Sequence, residues 1–68
     1  MALSARNRLK GEITGVVLGT VTALITVKVG DHLVESVITR HSAEDMKLKK
    51  GDKVTAVIKA TEVMIEKD

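Results

Sequence analysis

The residues best suited to chemistry stand close together near the beginning of the chain. Ser4 offers a hydroxyl, Ala5 an exposed backbone and Arg6 a guanidinium, with Asn7 directly after them. A guanidinium holds five N–H donors in a fixed planar fork and keeps its charge, so this combination is typical of an oxyanion site. The alternative interpretation is an N-terminal arm whose Ser4 and Asn7 satisfy nearby backbone groups, and the segment taken alone favours that alternative.

Two further segments carry donors of the same kind. Lys59 and the backbone of Ala60 stand at the end of a predicted strand, where free N–H groups and an ammonium form a local positive concavity, although a lysine in this place is commonly a solvated edge residue. Thr39 and Ser42 bracket the start of a predicted helix, and helix N-termini attract anions. Ser42 is equally explained as the helix cap. Together the three segments supply donors and cations without an obligatory acidic partner.

Little in the sequence favours catalysis. It has no cysteine, no glycine-rich phosphate loop and no paired carboxylates beside a histidine. Its two histidines, His32 and His41, fall in a predicted turn and at a predicted helix start, and we expect both to be solvated. The sequence therefore predicts a binding protein that is not an enzyme and has no metal-ligating cluster.

Alternation of apolar and polar residues predicts the strands that position these groups. The period of two is clearest over 20–29, and a short turn follows at 30–32. Gly11 and Gly15 in the first strand predict a bend or a close approach of two backbones. The predicted strands cover 9–18, 20–29, 33–39, 53–60 and 63–66.

Residues 41–49 break this period and predict a short helix. Ser42 stands three residues before Asp45, as in a capping box, and Gly51 is a suitable terminator. The order of three strands, a helix and two strands matches a Greek-key barrel of the OB type. We therefore predict an all-β fold with one short helix, a five-stranded OB-like Greek-key barrel, in a single domain over 1–68. An SH3-like barrel is the main alternative.

The length of the chain predicts an oligomer. A domain of 68 residues is near the lower limit of independent folding, and such domains add disulfides, a structural metal or further subunits. With no cysteine and only two histidines, further subunits are the remaining option. Four apolar residues are predicted to face away from the core, as at a partner surface: Leu24, Val37, Val57 and Met64.

Composition also narrows the classes of partner. The formal net charge is only +2, and Phe, Tyr and Trp are absent, although single-stranded nucleic acid usually stacks on such rings. The alternative to an oxyanion-binding protein is a small barrel that binds nucleic acid or another protein, because the fold alone does not decide the function. The absence of aromatic residues disfavours nucleic acid. No apolar stretch approaches the roughly 20 residues of a membrane span, and no signal peptide opens the chain. We therefore expect a cytoplasmic protein without a membrane partner.

Two strings of the sequence resemble the molbindin (Mop) family. One is Ser-Ala-Arg-Asn-Arg-Leu-Lys-Gly at 4–11, and the other is Val-Ile-Lys-Ala-Thr-Glu-Val-Met-Ile at 57–65. Segments 35–39 and 48–52 also fit, so the resemblance covers nearly the whole chain. Molbindins are single molybdenum-binding domains of about this length, similar to domains attached to molybdate importers and molybdate-responsive regulators.

The resemblance implies an OB-like fold, a hexamer built as a trimer of dimers, and molybdate or tungstate stored or buffered at subunit interfaces. It implies no organic cofactor. Related domains often have a serine where Ala60 stands, so one hydroxyl would be missing here. Carried over by position, the implied ligands are Ser4, Ala5 through its backbone, Arg6, Thr39, Ser42, Lys59 and Ala60 through its backbone.

The chemistry of the anion agrees with such a set of donors. Molybdate at neutral pH is a fully deprotonated dianion, so its oxygens only accept hydrogen bonds. Hydrogen phosphate keeps a proton that a site made of donors cannot accept, and an unpaired buried polar group costs about 1–3 kcal/mol. Sulfate has no such proton, so size has to reject it.

Overall fold

The structure, a computed structural model, describes residues 4–68. The predicted single domain over 1–68 therefore includes three residues, 1–3, that lie outside the described range. In chain order the elements are β1 (Asn7–Leu18), β2 (Thr22–Val29), β3 (His32–Thr39), α1 (Arg40–Asp45), β4 (Lys53–Ile58) and a single 3-10 turn (Ala60–Glu62). No helix within 4–68 is long and apolar enough to cross a membrane.

The four strands form one antiparallel sheet in the order β3-β2-β1-β4. The core lies on one face of the sheet. Alternate residues of a strand point to the same side, and in β2 the residues on this side are apolar and buried. Ala23, Ile25 and Val27 of β2 are buried with Ile13 of β1, and Ala43 brings α1 onto the same cluster. A mostly β fold with one short helix is thus confirmed, as is the predicted inner face of β2.

A β-bulge changes the face that β1 presents to the core. The pairing with β2 shifts between Ile13 and Gly15, which leaves Thr14 as an extra residue. An extra residue reverses the alternation beyond it, so Val16 packs against the core while Val17 is 63% exposed. An unbroken period of two over residues 9–18 predicts Val17 on the same face as Ile13, and that prediction from the sequence is wrong because of the bulge.

The close backbone approach predicted for the first strand is confirmed at Gly11. A Cβ atom built there would overlap the carbonyl oxygen of Lys28 and lie 2.8 Å from Cγ1 of Val27. Only a residue without a side chain allows β1 and β2 to come this near.

The helix differs from its prediction at both ends. Thr39 and not Ser42 is the N-cap, since the hydroxyl oxygen of Thr39 accepts the backbone N–H of Ser42. The helix stops at Asp45 because Lys47 adopts a left-handed conformation with φ 52°, well before Gly51. The two hydroxyls therefore lie on the first turn, with Thr39 still on the sheet.

The predicted fifth strand is not found in this chain. After the 3-10 turn, residues 63–68 pair with no strand among residues 4–68, and all of them are exposed. The outer edges of β3 and β4 consequently have no neighbour in the sheet. The single chain is an open, four-stranded sheet and not a closed barrel.

Candidate functional site

The N-terminal arm and the end of β4 meet at one end of the sheet. Asn7 pairs with Ile58 in the β1–β4 ladder, and its side-chain amide donates to the Ile58 carbonyl at 3.3 Å. The next step along this antiparallel pairing places Arg6 beside Lys59. Two cations from opposite ends of the sequence are therefore neighbours. Asn7 itself has the local structural role that was the alternative interpretation of this segment.

The groups around these two cations remain accessible. Ser4, Arg6, Lys59 and Ala60 are exposed, and Ala5 is half-buried. Ion pairs elsewhere in 4–68 join other residues, and neither Arg6 nor Lys59 has a carboxylate within ion-pair distance in that range. Adjacent cations without a counter-charge repel each other, so an anion bound between them is favoured.

Thr39 and Ser42 form a compact pair of hydroxyls at the start of α1. The Thr39 hydroxyl donates to the Ser42 oxygen at 2.8 Å, and the Ser42 backbone N–H donates to the Thr39 oxygen at 3.1 Å. The Ser42 hydroxyl accepts in this arrangement, so its own proton is free to point outward. Both residues are exposed, and capping is therefore compatible with donation to a ligand.

The structure separates the seven predicted site residues into two groups. Thr39 pairs with Thr22, and Ala23 pairs with Leu18 at the far end of β1. Arg6 and Lys59 lie at the near end, next to Asn7. β1 has 12 residues, so the two groups are up to roughly 35 Å apart at about 3.3 Å per residue. One chain therefore places residues 4–6 and 59–60 at one end of β1 and Thr39 and Ser42 at the other.

Arg40 is a residue of this region that sequence reasoning missed. Its guanidinium donates to the Gly19 carbonyl and pairs with the Glu44 carboxylate, both at 3.2 Å. Its backbone N–H also donates to the Val21 carbonyl at 2.8 Å. These bonds tie the turn between β1 and β2 to the first turn of α1. In the sequence, the spacing of four residues between Arg40 and Glu44 indicates an ion pair on a helix. It does not indicate the bond from Arg40 to Gly19.

A cavity lined mainly by lysines lies away from the predicted residues. It has a volume of about 600 Å³, and Lys10, Lys28 and Lys53 line it together with Glu12. Lys53 is 2.6 Å from the Glu12 carboxylate, and its hydrogen bond and charge hold the pKa of Glu12 below the ordinary 4.5. A carboxylate that stays ionised among these lysines opposes a dianion, so this cavity is the poorer oxyanion site.

The two histidines are exposed, as expected. His32 opens β3, and the His41 ring nitrogen lies 3.1 Å from the Asp45 carboxylate on the outer face of α1. Within residues 4–68, no three His, Cys, Asp or Glu side chains converge as a metal site would require. The groups predicted to bind an oxyanion, at the two ends of β1, thus stay the candidate functional site.

Comparison with known proteins places this arrangement in a family. The TOBE domain model matches residues 3–65. Molybdenum-pterin-binding protein 3 of Clostridium pasteurianum is 47% identical over 66 residues, which are 96% of this chain and 97% of that protein. A molybdate-binding protein from Sporomusa ovata has a TM-score of 0.94 and 40% identity, covering 98% of this chain and 100% of its own. MopII from C. pasteurianum, in an apo structure, gives a TM-score of 0.91 and 40% identity, covering 97% and 100% of the two chains.

These matches cover nearly the full length of each similar protein, so the similarity extends over whole domains and is not limited to a short motif. The two strings singled out in the sequence, at 4–11 and 57–65, are also the segments that form the near end of β1 and its contact with β4. The chain belongs to the molbindin (Mop) family of TOBE domains.

Proposed function

We propose that this chain is a cytoplasmic binding protein for molybdate or tungstate, which stores or buffers the oxyanion and catalyses no reaction. The observation that carries the proposal is the contact between the ends of β1 and β4, where Arg6 and Lys59 become neighbours without a carboxylate. Relatives described as molybdenum-pterin-binding and molybdate-binding proteins support the choice of anion.

The site is proposed to form between copies of the chain. One copy supplies Ser4, Ala5 and Arg6 with Lys59 and Ala60, and another supplies Thr39 and Ser42. The separation of the two groups along β1 supports this division, because one chain cannot close all of these donors around an anion a few ångströms wide. A ring of N–H, O–H and cationic groups from two copies satisfies every oxygen of a proton-free dianion.

The assembly is proposed to be a hexamer made of three dimers, in which the open sheet becomes a five-stranded OB-like barrel. Exposed apolar side chains on the face opposite the core support a subunit interface there. Val37 is 68% exposed and Leu33 is 64% exposed, and both lie on this face of β3. Val17 and Val57 extend the same surface.

Native mass spectrometry with and without molybdate tests the proposal, since it reports the number of subunits and of bound anions together. We expect a hexamer that gains molybdate or tungstate at micromolar concentration and ignores phosphate. A lone protomer that binds neither anion would contradict it. So would binding of an oligonucleotide that weakens steeply with salt, which is the behaviour expected of the alternative function.

A further inference from the structure

The side of β1 and β4 that faces away from the core carries a concentration of positive charge. Ile13 is buried in the core, so the even-numbered residues of β1 before it, among them Arg8 and Lys10, point to the opposite side. Lys53 of β4 pairs with Glu12 across the ladder and shares that side. Glu12 is the only acidic residue of these two strands. Since the net charge of the whole chain is only +2, positive charge is concentrated on this side of the sheet.

Two cavities join along this side of the sheet, because Lys10 and Thr55 line both of them. The first has a volume of about 600 Å³, and its lining includes Lys28 of β2 and Lys53 of β4. The second has a volume of about 230 Å³, and its lining adds Arg8. The two cavities therefore form one continuous basic trough, whose cations are Arg8, Lys10, Lys28 and Lys53.

The basic trough runs toward the proposed oxyanion site. The β1–β4 ladder ends one pair beyond Arg8, and Arg6 and Lys59 come directly after its last pair. Lys10 is four residues from Arg6, which is about 13 Å along β1 at about 3.3 Å per residue. Lys28 pairs with β1 two residues farther on, about 20 Å from Arg6 on the same scale. The trough thus leads from a distant part of the sheet to the edge of the two proposed cationic ligands.

The basic trough is suited to attract an anion but not to retain it. All four of its cations are exposed, and among residues 4–68 only Lys53 of the four has a carboxylate within ion-pair distance, that of Glu12 at 2.6 Å. A cleft with an excess of one sign of charge raises the local concentration of ions of the opposite sign. The groups stay hydrated, however, and Glu12 repels an anion at close range. A surface with these properties favours the transfer of an anion over its storage.

We propose that the basic trough is the entry route of the oxyanion, which captures molybdate or tungstate from solution and passes it along β1 to Arg6 and Lys59. The inference rests on the proposed function and deepens it. In about 0.1 M salt, exposed charges are screened beyond about 10 Å, so Lys10 and Lys28 are too far from Arg6 to stabilise the bound anion directly. They act on the path instead, and the loss of a reversible path slows arrival and departure alike. The trough therefore sets the rate of exchange with solution and leaves the affinity unchanged.

Two double variants with the same net charge test this route. Lys10→Met/Lys28→Met removes two charges from the trough. Lys47→Met/Lys50→Met is the matched control, because it removes two exposed lysines that follow α1 and lie outside the trough. The chain has no cysteine, so a single Thr61→Cys carries an environment-sensitive fluorophore near the end of β4 in every protein. Stopped-flow mixing with molybdate gives the association and dissociation rate constants, and equilibrium dialysis of the same labelled proteins gives the affinity.

In about 0.1 M salt we expect both rate constants of the trough variant to fall by about threefold, with the affinity preserved within about twofold. The control should keep the rates of the protein without these substitutions, and the difference should disappear in about 0.5 M salt, where screening is stronger. Unchanged rates in the trough variant, or an equal slowing in the control, would overturn the entry route and leave the proposed function standing. A weaker affinity with an unchanged dissociation rate would also overturn it. A protein that binds no molybdate before these substitutions would reject the proposed function and the route together.

Discussion

Arg6 and Lys59 are the residues directly next to the Asn7–Ile58 pair, which ends the β1–β4 ladder. The sequence separates these two cations by almost the whole chain, yet the antiparallel register brings them to a common edge. Ala5 and Ala60 follow at the same end of β1, so the residues proposed as one half of the anion site all lie at this end of the strand.

Replacement of Arg6 by alanine is expected to weaken molybdate binding by about 10- to 100-fold, because a charge-assisted hydrogen bond contributes about 1.5–3 kcal/mol. The fold should persist, since Arg6 precedes β1. Equilibrium dialysis measures the affinity and circular dichroism the fold. Arg8→Ala is the control, because Arg8 is an exposed residue of β1 that lies outside the proposed ligands. If the two variants bound equally well, Arg6 would not be a ligand. Lys59→Ala is expected to weaken binding in the same direction.

Ala60→Ser should strengthen binding of molybdate by about 3- to 10-fold, as one added hydrogen bond contributes about 0.5–1.5 kcal/mol. Ala60 is exposed at the start of the 3-10 turn, so a hydroxyl is accommodated without repacking. Thr61→Ser, one residue farther on, is the matched control and should have no effect. Calorimetric titration of both variants decides whether the missing hydroxyl matters.

Gly11→Ala is expected to destabilise the fold by about 1–3 kcal/mol, the usual cost of forcing atoms into a packed region. The new Cβ would overlap the Lys28 carbonyl, which belongs to the backbone and cannot rotate away. Gly15→Ala is the control, because its Cβ would meet only ordinary contacts at 3.8 Å. In urea unfolding, the midpoint of Gly11→Ala should be lower than that of Gly15→Ala. Equal midpoints would disprove the close approach of the β1 and β2 backbones at Gly11.

The ion pair between Glu12 and Lys53 predicts an acid-dependent effect. The Lys53 hydrogen bond holds the pKa of Glu12 below 4.5, so the pair stabilises the fold above that pH and loses its effect as the pH falls through the lowered pKa. Lys53→Met should therefore be less stable than the unmodified protein at pH 7, with the difference closing in acid. NMR titration should show the Glu12 pKa rising in this variant and unchanged in Lys50→Met.

Much of the fold follows from local patterns. The period of two in β2 correctly predicts Ala23, Ile25 and Val27 in the core, since one face of a strand must be apolar to be buried. The bulge at Thr14 leaves no comparable pattern, because either alternation along β1 looks amphipathic until the partner strand is known. The helix cap was assigned to the wrong hydroxyl for a similar reason: Thr39 and Ser42 are both good caps, and three-dimensional pairing decides between them.

The fifth strand and the site could be predicted only in part. Residues 63–66 have the composition of a strand, but whether they pair depends on which edge strand they reach, and within residues 4–68 they pair with none. Arg6, Thr39 and Lys59 are recognisable as donors by type, whereas their grouping depends on register. Arg6 and Lys59 share an end of β1, and Thr39 is at the other. No local pattern carries that information.

The bulge in β1 restricts how the length of this strand can vary. Thr14 is the residue without a counterpart in β2, so its deletion would leave every other pair in register and every side chain on its present face. Deletion of a residue elsewhere between Asn7 and Leu18 would move the side chains of one part of the strand to the opposite face of the sheet. A deletion in the first strand is thus tolerated at a single position, Thr14.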